Sequence, residues 1–325
     1  MRVVFMGTPA FALPALERLL DSRHEVVAVV TQPDKPAGRG RKLQPPPVKV
    51  FAEKQGLPVL QPGTLKSDAA AEQIAAFRPD VLAVAAYGKI IPRRVFEQPR
   101  FGALNIHPSL LPEYRGAAPI QRAIMNGDIS TGVTIMRIDE TLDGGPIVRQ
   151  EQVEILDDDD AVSLGNMLSA LGAAMLVDTL DDAERTGTIP ATPQDDSKAT
   201  YADMIRPEEG LMDWNRSTDQ LICQVRALVE WPTAWTHYNN SRVKVYRIEP
   251  GELTANLNPE KAARIPPGTI CELIKGRGPL VKTGNGFALI RELQFEGKRR
   301  MSGADVVNGR LLEMGRRFES PATPA

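Results

Sequence analysis

The first half of the chain alternates short apolar runs with segments of helical periodicity. This pattern predicts six strands, over residues 2–6, 25–31, within 55–60, 80–86, 102–106 and 132–138. Most of these runs are apolar at successive positions, as is typical of strands that are buried on both faces. A helix ending at Leu20 is predicted after the first strand, and a long helix over residues 161–185. Strands that alternate with helices predict an α/β fold with a parallel sheet.

The chain changes character after Thr186. A run rich in proline and polar residues predicts a linker, and a helix is predicted over residues 214–229. Short strands with glycine turns are predicted at 233–238, 242–249, 269–274, 280–283 and 288–294. They predict a small OB-like β-barrel, a fold that often binds nucleic acid. We therefore predict a first domain over residues 1–186, a linker over 187–209 and a barrel domain over 210–315.

Composition excludes several classes of protein. The 325 residues suffice for two domains of roughly 150 residues each. With 39 basic and 41 acidic residues the net charge is −2, so contact with nucleic acid would depend on a local basic patch. Two cysteines and three histidines, far apart in sequence, argue against a disulfide framework and a metal site.

The distribution of apolar residues carries one further expectation. The chain opens on a predicted strand, which leaves no room for a signal peptide. It contains no uninterrupted apolar run of the ~18 residues that a membrane span needs. We therefore expect a cytoplasmic protein without a membrane segment.

Asn105 and His107 stand at the end of the fifth predicted strand, before a turn-rich stretch that continues to Ile120. Residues two apart in an extended chain point to the same side. An amide donor beside an imidazole suits the binding of an oxygen that becomes negative, and ligands of open α/β sheets bind beyond the carboxyl ends of strands. The alternative is a histidine that hydrogen-bonds to backbone in a proline-rich turn. The neighbouring Asn105 favours the functional interpretation.

A second candidate follows the sixth predicted strand, in the sequence Asp139-Glu140-Thr141-Leu142-Asp143-Gly144-Gly145-Pro146. A carboxylate that emerges from the end of a neighbouring strand can reach His107 and orient its imidazole. Taken alone, Asp-Gly-Gly-Pro is more typical of a turn. The functional interpretation therefore depends on the pairing of Asp143 with His107.

Residues 34–49 follow the second strand and carry five basic side chains against one acidic side chain. The glycines and prolines of this stretch predict a long exposed loop without a helix or a central strand. Contact with phosphate groups and a loop that is merely solvated are equally consistent with this composition.

Other conspicuous residues have structural interpretations. Trp214, Trp231 and Trp235 are predicted in the core of the smaller domain rather than as stacking platforms. The acidic run over 157–160 is predicted at the start of the long helix, where negative charge is favourable. The basic run at 298–300 is typical of a solvated turn, with contact to a polyanion as the alternative.

Taken together, these stretches resemble the formyltetrahydrofolate-dependent formyltransferases over nearly the whole chain. The resemblance rests on residues 5–9, 31–40, 109–120, 131–136, 142–144 and 298–308, with the Asn-x-His motif and Asp143. The basic loop and the second domain are similar to the branch that acts on initiator methionyl-tRNA. Gly144 stands where many members have Thr, and Glu230 precedes Trp231-Pro232 where Pro is common.

The resemblance implies a Rossmann-like catalytic domain and an OB-like domain that binds tRNA. It implies transfer of the formyl group of 10-formyltetrahydrofolate to the α-amino group of methionine on initiator tRNA, without a metal. Asn105 and protonated His107 would then donate to the oxyanion, while Asp143 stabilises the charged imidazole and assists proton transfer. The implied folate contacts are Ser109, Leu110, Leu111, Pro112, Tyr87, Gly88 and Ile91. The implied tRNA contacts are Arg39, Arg41 and Lys42, with Arg39 as the specific contact and Lys42 on a phosphate.

Three other functions remain open at this point. The same catalytic residues would serve formyl transfer to a nucleotide-sugar amine or to glycinamide ribonucleotide, although the basic loop and second domain then lack a role. Hydrolysis of 10-formyltetrahydrofolate is another enzymatic possibility. A catalytically silent RNA-binding protein would use the loop and the barrel alone. We expect a monomer.

Overall fold

The computed structural model describes residues 1–37, 42–253 and 264–319, apart from the side chains of Ala37 and Lys42. The chain divides into two compact units. The first comprises Met1–Pro119, Ser130–Glu154 and Ser163–Asp203, and the second comprises Ile120–Ile129, Ile155–Val162 and Met204–Ala325. Two short segments of the amino-terminal half are therefore grouped with the second unit.

Helices separate most strands of the main sheet of the first unit along the chain. Its strands are β1 (Arg2–Gly7), β2 (Glu25–Val30), β3 (Lys35–Ala37), β4 (Lys42–Gln44), β5 (Val59–Leu60), β6 (Val81–Ala85), β7 (Ala103–His107), β8 (Arg115–Gly116), β9 (Ser130–Arg137), β10 (Ile147–Glu154) and β11 (Tyr201–Ala202). The helices of this half of the chain are α1 (Leu13–Leu20), α2 (Pro47–Lys54), α3 (Asp68–Ala75), α4 (Arg93–Phe96), α5 (Pro119–Asn126) and α6 (Ala161–Thr186).

The main sheet of the first unit has seven strands in the order β10-β9-β7-β6-β1-β2-β5. The central strands are parallel, and β1 and β6 are apolar and fully buried over most of their length. Helix α1 buries Leu16 and Leu19 completely, and Pro14 lies in its first turn, where the missing N–H is tolerated. The predicted α/β class is confirmed.

One side of this sheet differs from the prediction. Strand β9, predicted as a parallel strand, runs antiparallel to β7, and β10, which was not predicted, pairs antiparallel with β9. Strand β10 is at the edge and is mostly half-buried or exposed, so it lacks the continuous apolar run of a central strand. This edge carries polar side chains because one of its sides faces solvent.

The basic stretch was predicted as a long exposed loop without a helix or a central strand, and the absence of a helix was wrong. Strands β3 and β4 form an antiparallel pair, and α2 begins at Pro47. A proline at the first helical position loses no hydrogen bond, so Pro47 starts the helix instead of preventing it. Arg39 and Arg41 lie outside the described residues.

The second unit is an antiparallel β structure with two helices of its own. Its elements are α7 (Thr218–Ala227), β12 (Ala234–Tyr238), β13 (Ser241–Pro250), β14 (Ile270–Ile274), β15 (Gly278–Lys282), β16 (Phe287–Phe295), β17 (Met301–Ser302) and α8 (Gly303–Asn308). The sheet order is β12-β13-β16-β15-β14, with β17 beside β16. Isolated bridges from Glu319 to His237 and from Arg317 to Thr269 connect both ends of this order, which closes the sheet into a barrel.

Helix α7 is shorter than the predicted 214–229 segment. Its first residue is Thr218, because the Ser217 side chain accepts the N–H of Gln220 and the Gln220 side chain accepts the N–H of Ser217. This reciprocal capping box fixes the amino end of the helix. Trp214, four residues earlier, is instead fully buried in the barrel core, where its ring stacks on Phe318 at 5.6 Å.

Helix α6 is the one described helix that bears on the expectation drawn from apolar runs. By length and composition it is apolar enough to cross a membrane. Its few polar residues break up the apolar run without lowering the mean hydropathy of the helix very much. Half of the most apolar window is buried inside the protein, with Leu168, Leu176 and Leu180 fully buried. A core helix passes the same test, and the burial of these leucines accounts for its apolarity.

Candidate active site

Strand β7 delivers the first two candidate residues. It lies between β6 and β9, where Asn105 stands opposite Val84 on one side and Met136 on the other. Because side chains alternate along a strand, Asn105 and His107 project from the same face. Asn105 is half-buried, so its amide remains accessible, whereas His107 is 3% exposed. The catalytic role of this pair stays a prediction.

The imidazole of His107 is held between two oxygen atoms. Its Nε2 lies 2.9 Å from the carbonyl oxygen of Tyr114, and its Nδ1 lies 3.8 Å from Oδ2 of Asp143. A carbonyl only accepts, so Nε2 carries a proton and donates it to Tyr114. The Nδ1 contact is too long for a hydrogen bond, and it becomes an ion pair when the imidazole is protonated. Nδ1 is therefore the ring nitrogen available to a ligand.

Asp143 reaches His107 by a route that the sequence did not predict. Because β9 is antiparallel to β7, its last residue, Arg137, stands opposite Leu104 rather than beside His107. The three residues from Leu104 to His107 correspond to about 10 Å of strand. The segment after β9 must return over that length to bring Asp143 to the imidazole. Its conformation includes φ +49° at Asp143, which is uncommon for a residue with a side chain.

The backbone N–H of Gly116 donates to Oδ2 of Asp143 at 2.9 Å. The Gly116 position has φ +119°, and a Cβ there would lie 2.9 Å from the carbonyl oxygen of Ala202. Glycine is therefore required at this position, both for its conformation and for its close approach to the backbone. The result is a carboxylate fixed beside an imidazole at the end of the sheet.

The turn after β7 contains four predicted folate contacts. Ser109 is fully buried and its hydroxyl donates to the carbonyl of Glu113 at 2.6 Å, while Leu111 is 3% exposed. Leu110 and Pro112 are half-buried. Thr134 of β9 fixes the turn, since its hydroxyl donates to the Ser109 carbonyl at 2.7 Å and accepts the Leu111 N–H at 3.1 Å. The turn is thus a rigid wall next to Asn105 and His107 in the chain.

The other predicted folate contacts follow β6, whose carboxyl end is beside that of β7. Tyr87 is 2% exposed and Ile91 is 6% exposed, whereas Gly88 is exposed with φ +79°. The Tyr87 hydroxyl has no hydrogen-bond partner among the described residues. Burial raises the pKa of Tyr87 to about 12. A buried hydroxyl without a partner beside apolar side chains fits a flat heterocycle that carries hydrogen-bonding edges.

The base of the basic stretch is anchored to the first unit. Lys49 pairs with Asp34 at 2.9 Å, and the side-chain amide of Gln61 donates to the same carboxylate at 2.7 Å. The hydrogen bond from Gln61 and then that from Lys49 lower the pKa of Asp34. Lys35 donates to Oε1 of Gln32 at 2.5 Å. These contacts connect α2, at the end of the basic stretch, to the residues that follow β2 and β5.

A cavity in the first unit lies away from the candidate residues. It has a volume of about 450 Å³ and is lined by Arg2, Asp80 and Phe101, which precede or begin β1, β6 and β7. It is therefore at the amino ends of the strands, opposite His107. In the described part of the chain, no cluster of three His, Cys, Asp or Glu side chains is arranged to hold a metal ion.

The second unit carries an aromatic and basic face on its barrel, formed by Trp235, Arg242, Lys244, Tyr246 and Arg300. The guanidinium of Arg242 lies 4.0 Å from the centre of the Trp235 ring, and that of Arg300 lies 4.2 Å from the Tyr246 ring. Trp235 of β12 stands opposite Lys244 of β13. We refer to these five residues as the barrel face.

The barrel corrects two expectations about tryptophan. Trp235 is half-buried under Arg242 rather than in the core, and Trp231 is 56% exposed. Only Trp214 of the three occupies the core. Trp235 alternates with the buried residues Ala234 and Thr236, which places it on the outer side of its strand.

Sequence reasoning missed several residues that hold the site together. Tyr114 and Gly116 lie in the stretch that was singled out, but their backbone groups carry the contacts, which no side-chain pattern reveals. Gln194 lies in the segment predicted as a linker, yet its side chain reaches the carbonyl of Asp143. No local spacing indicates a contact across 51 residues.

Comparison with known proteins agrees with this architecture. Residues 1–180 match the model of the formyl transferase family, and residues 204–311 match the formyl transferase C-terminal domain. The methionyl-tRNA formyltransferase of Sulfurihydrogenibium sp. is 43% identical over 98% of this chain and 100% of its own length. That of Bacillus pumilus is 43% identical over 98% of this chain and 97% of its own length.

A solved structure is similar in fold. HypX from Aquifex aeolicus in complex with tetrahydrofolic acid has a TM-score of 0.63 at 18% identity, over 100% of this chain. The chain spans half of the length of HypX. On the family match and the full-length relatives, the chain belongs to the formyl transferase family.

Proposed function

We propose that the protein transfers the formyl group of 10-formyltetrahydrofolate to the α-amino nitrogen of methionine on initiator tRNA. The proposal for the chemistry rests on the carboxylate of Asp143, whose Oδ2 lies 3.8 Å from Nδ1 of His107, two residues after Asn105 on the same strand. The acceptor is supported by relatives named methionyl-tRNA formyltransferase, which match 98% of the chain at 43% identity.

The reaction needs a site that stabilises an oxyanion and moves one proton. The neutral amine attacks the formyl carbon, a C–N bond forms, and the formyl oxygen becomes negatively charged. The Asn105 amide and the Nδ1–H of His107 donate to this oxygen, and Asp143 stabilises the imidazolium that donates. The tetrahedral centre then collapses, the bond to N10 of the folate breaks, and the proton of the amine replaces it on N10. Asp143 assists that proton transfer.

The folate co-substrate is assigned to the edge formed by the ends of β6 and β7. Tyr87, Gly88 and Ile91 are on the β6 side, and Ser109, Leu110, Leu111 and Pro112 are on the β7 side. The unpartnered hydroxyl of Tyr87 supports this assignment, because a bound ligand would supply the partner that the described residues do not. The buried hydroxyl of Ser109 already donates to Glu113, so we assign Ser109 to shaping the turn.

Two surfaces are assigned to the tRNA. Arg39, Arg41 and Lys42 of the basic segment contact the acceptor end, with Arg39 as the specific contact and Lys42 on a phosphate. The barrel face supplies guanidinium groups stacked on aromatic rings, a combination that binds nucleic-acid backbone and bases. We further propose a monomer that acts in the cytoplasm and needs no metal and no membrane.

One assay tests the proposal. The purified protein is incubated with 10-formyltetrahydrofolate and methionyl initiator tRNA, and N-formylmethionine is measured after hydrolysis of the ester. We expect formylation of this tRNA and none of methionyl elongator tRNA. Formylation of a nucleotide-sugar amine or of glycinamide ribonucleotide instead would show that the protein uses a different acceptor. Release of formate alone would show that it hydrolyses 10-formyltetrahydrofolate and does not transfer the formyl group. RNA binding without consumption of the folate would contradict an enzymatic role.

A further inference from the structure

Asp143 has a left-handed backbone conformation, and a side chain from a distant segment binds its carbonyl group. Its φ of +49° lies in the left-handed region, which aspartate adopts more readily than most residues with a side chain but still uncommonly. The side-chain amide of Gln194 holds the backbone there. Its Nε2 donates to the carbonyl of Asp143 at 2.8 Å and to the carbonyl of Gly145 at 2.7 Å.

The orientation of this amide is fixed by chemistry. Oε1 of Gln194 accepts from Nε of Arg115 at 3.1 Å and from Nη2 of Arg115 at 2.7 Å. Arginine has donors only, so the oxygen of the amide must face Arg115 and the nitrogen must face the two carbonyls. Arg115 is itself buried and pairs with Asp196 at 2.7 Å. Both hydrogens of one –NH₂ group are thus used to hold the two sides of Gly144.

Three consecutive residues connect this contact to both catalytic candidates. The Tyr114 carbonyl accepts from His107, the Arg115 side chain orients Gln194, and the Gly116 N–H donates to Asp143. The same strand segment therefore fixes the imidazole, the carboxylate and the backbone that carries the carboxylate. Gln194 connects this segment to Asp143 a second time, because it accepts from Arg115 and donates to the Asp143 carbonyl.

We propose that Gln194 is a positioning residue for Asp143, so that the segment predicted as a linker is part of the active site of the reaction proposed above. Loss of its two donated hydrogen bonds releases Asp143 from its conformation and moves the carboxylate away from His107. A misplacement of about 1 Å can cost on the order of 10²-fold in rate. We therefore expect kcat to fall by about 10- to 100-fold, with the KM for folate and for tRNA changed by less than about threefold.

The test uses two substitutions with different predictions. Gln194→Glu has nearly the same shape and keeps the contact with Arg115, but a carboxylate cannot donate to the two carbonyls. Gln194→Ala loses both contacts. If Gln194 positions Asp143, both variants lose kcat. If it only anchors its own segment through Arg115, Gln194→Glu retains wild-type kcat, and the proposal is overturned.

A double-mutant cycle shows whether the effect passes through Asp143. In an Asp143→Ala background, Gln194→Glu is expected to cause no further loss of kcat, because the group that it positions is absent. An additive loss would contradict the proposal.

The matched control is Gln224, a buried glutamine of the second unit that also donates to two carbonyls, those of Glu209 and Leu211. We expect Gln224→Ala to lower the melting temperature without lowering kcat of the folded enzyme. A loss of kcat in Gln194→Glu that only follows the loss of folded protein, measured by circular dichroism, would also overturn the proposal. The wild-type enzyme is assayed in parallel, and its failure to formylate methionyl-tRNA would contradict the proposed function rather than the role of Gln194.

Discussion

Oδ2 of Asp143 lies 3.8 Å from Nδ1 of His107 and accepts the N–H of Gly116 at 2.9 Å. The hydrogen bond keeps the carboxylate at a fixed place without engaging the imidazole, whose Nε2 donates to Tyr114 instead. Nδ1 consequently keeps its hydrogen-bonding capacity next to a negative charge. Nδ1 is therefore free to hydrogen-bond to a ligand, while the bond from Nε2 to Tyr114 fixes the orientation of the ring.

Substitution of Asp143 by asparagine removes the negative charge of the side chain and keeps its shape, so it tests whether the charge is needed for formyl transfer. In Asp143→Asn the side-chain amide oxygen can still accept the Gly116 N–H, but the neutral amide no longer stabilises an imidazolium. We expect kcat for formyl transfer to fall by about 10²- to 10⁴-fold, as for loss of acid–base assistance. Asp178→Asn on the exposed side of α6 is the control, expected to retain wild-type kcat. An active Asp143→Asn enzyme would remove the carboxylate from the mechanism.

Asn105→Ala tests the oxyanion site. Loss of one donor to a developing oxyanion costs about 10²- to 10³-fold in kcat, and we expect a decrease in that range with little change in KM. Steady-state kinetics with saturating methionyl-tRNA measure it, with the exposed Asn166→Ala as the control. Wild-type turnover in Asn105→Ala would show that the amide is not part of the reaction.

Tyr87→Phe should stabilise the free protein and weaken folate binding. The hydroxyl is buried without a partner among the described residues, which costs about 1–3 kcal/mol that phenylalanine avoids. If the hydroxyl binds the folate, its loss raises the KM for 10-formyltetrahydrofolate by about 3- to 10-fold. Tyr238→Phe is the control, because the Tyr238 hydroxyl accepts the N–H of Glu313 and its loss should destabilise the protein. A lower melting temperature in Tyr87→Phe would contradict this prediction.

The same residue predicts a dependence of stability on pH. The pKa of Tyr87 is about 12 in the folded protein, above the value of about 10 in the unfolded chain. The unfolded state loses its proton first, so the contribution of Tyr87 to the free energy of unfolding is complete below about pH 10 and is lost as the pH rises towards 12. Urea denaturation of wild type and Tyr87→Phe from about pH 9 to about pH 11 should show a difference that grows with pH. A difference that is constant over this range would mean that Tyr87 does not titrate as expected.

Substitutions in the basic segment should weaken the interaction with tRNA and leave folate binding unchanged. We expect Arg39→Ala to raise the KM for methionyl-tRNA or lower kcat, with unchanged folate binding. Lys42→Ala should reduce the slope of log affinity against log salt by about 1, as expected for one lost phosphate contact. Lys66→Ala, an exposed lysine of the first unit, is the control. Unchanged kinetics in both variants would show that the segment does not take part in tRNA recognition.

The central strands could be predicted because burial on both faces leaves a continuous apolar run, as in β1 and β6. The edge strand β10 was missed because none of its residues is buried. The direction of β9 could not be predicted because side chains alternate in the same way in either direction. The start of α7 was predicted four residues early. The capping box of Ser217 and Gln220 could have been recognised from the sequence, because a serine followed three residues later by a glutamine is typical of a helix start.

The sequence by itself determined which chemical groups are present and that Asn105 and His107 share one face at the end of a buried strand, because both features are local. Tertiary structure decided that Asp143 returns past an antiparallel strand to reach His107, that Tyr114 takes one imidazole nitrogen, and that Gln194 holds the backbone of Asp143. These contacts join segments far apart in the chain and depend on backbone groups that every residue carries. Local preferences do not specify which of those groups meet; packing of the whole unit does.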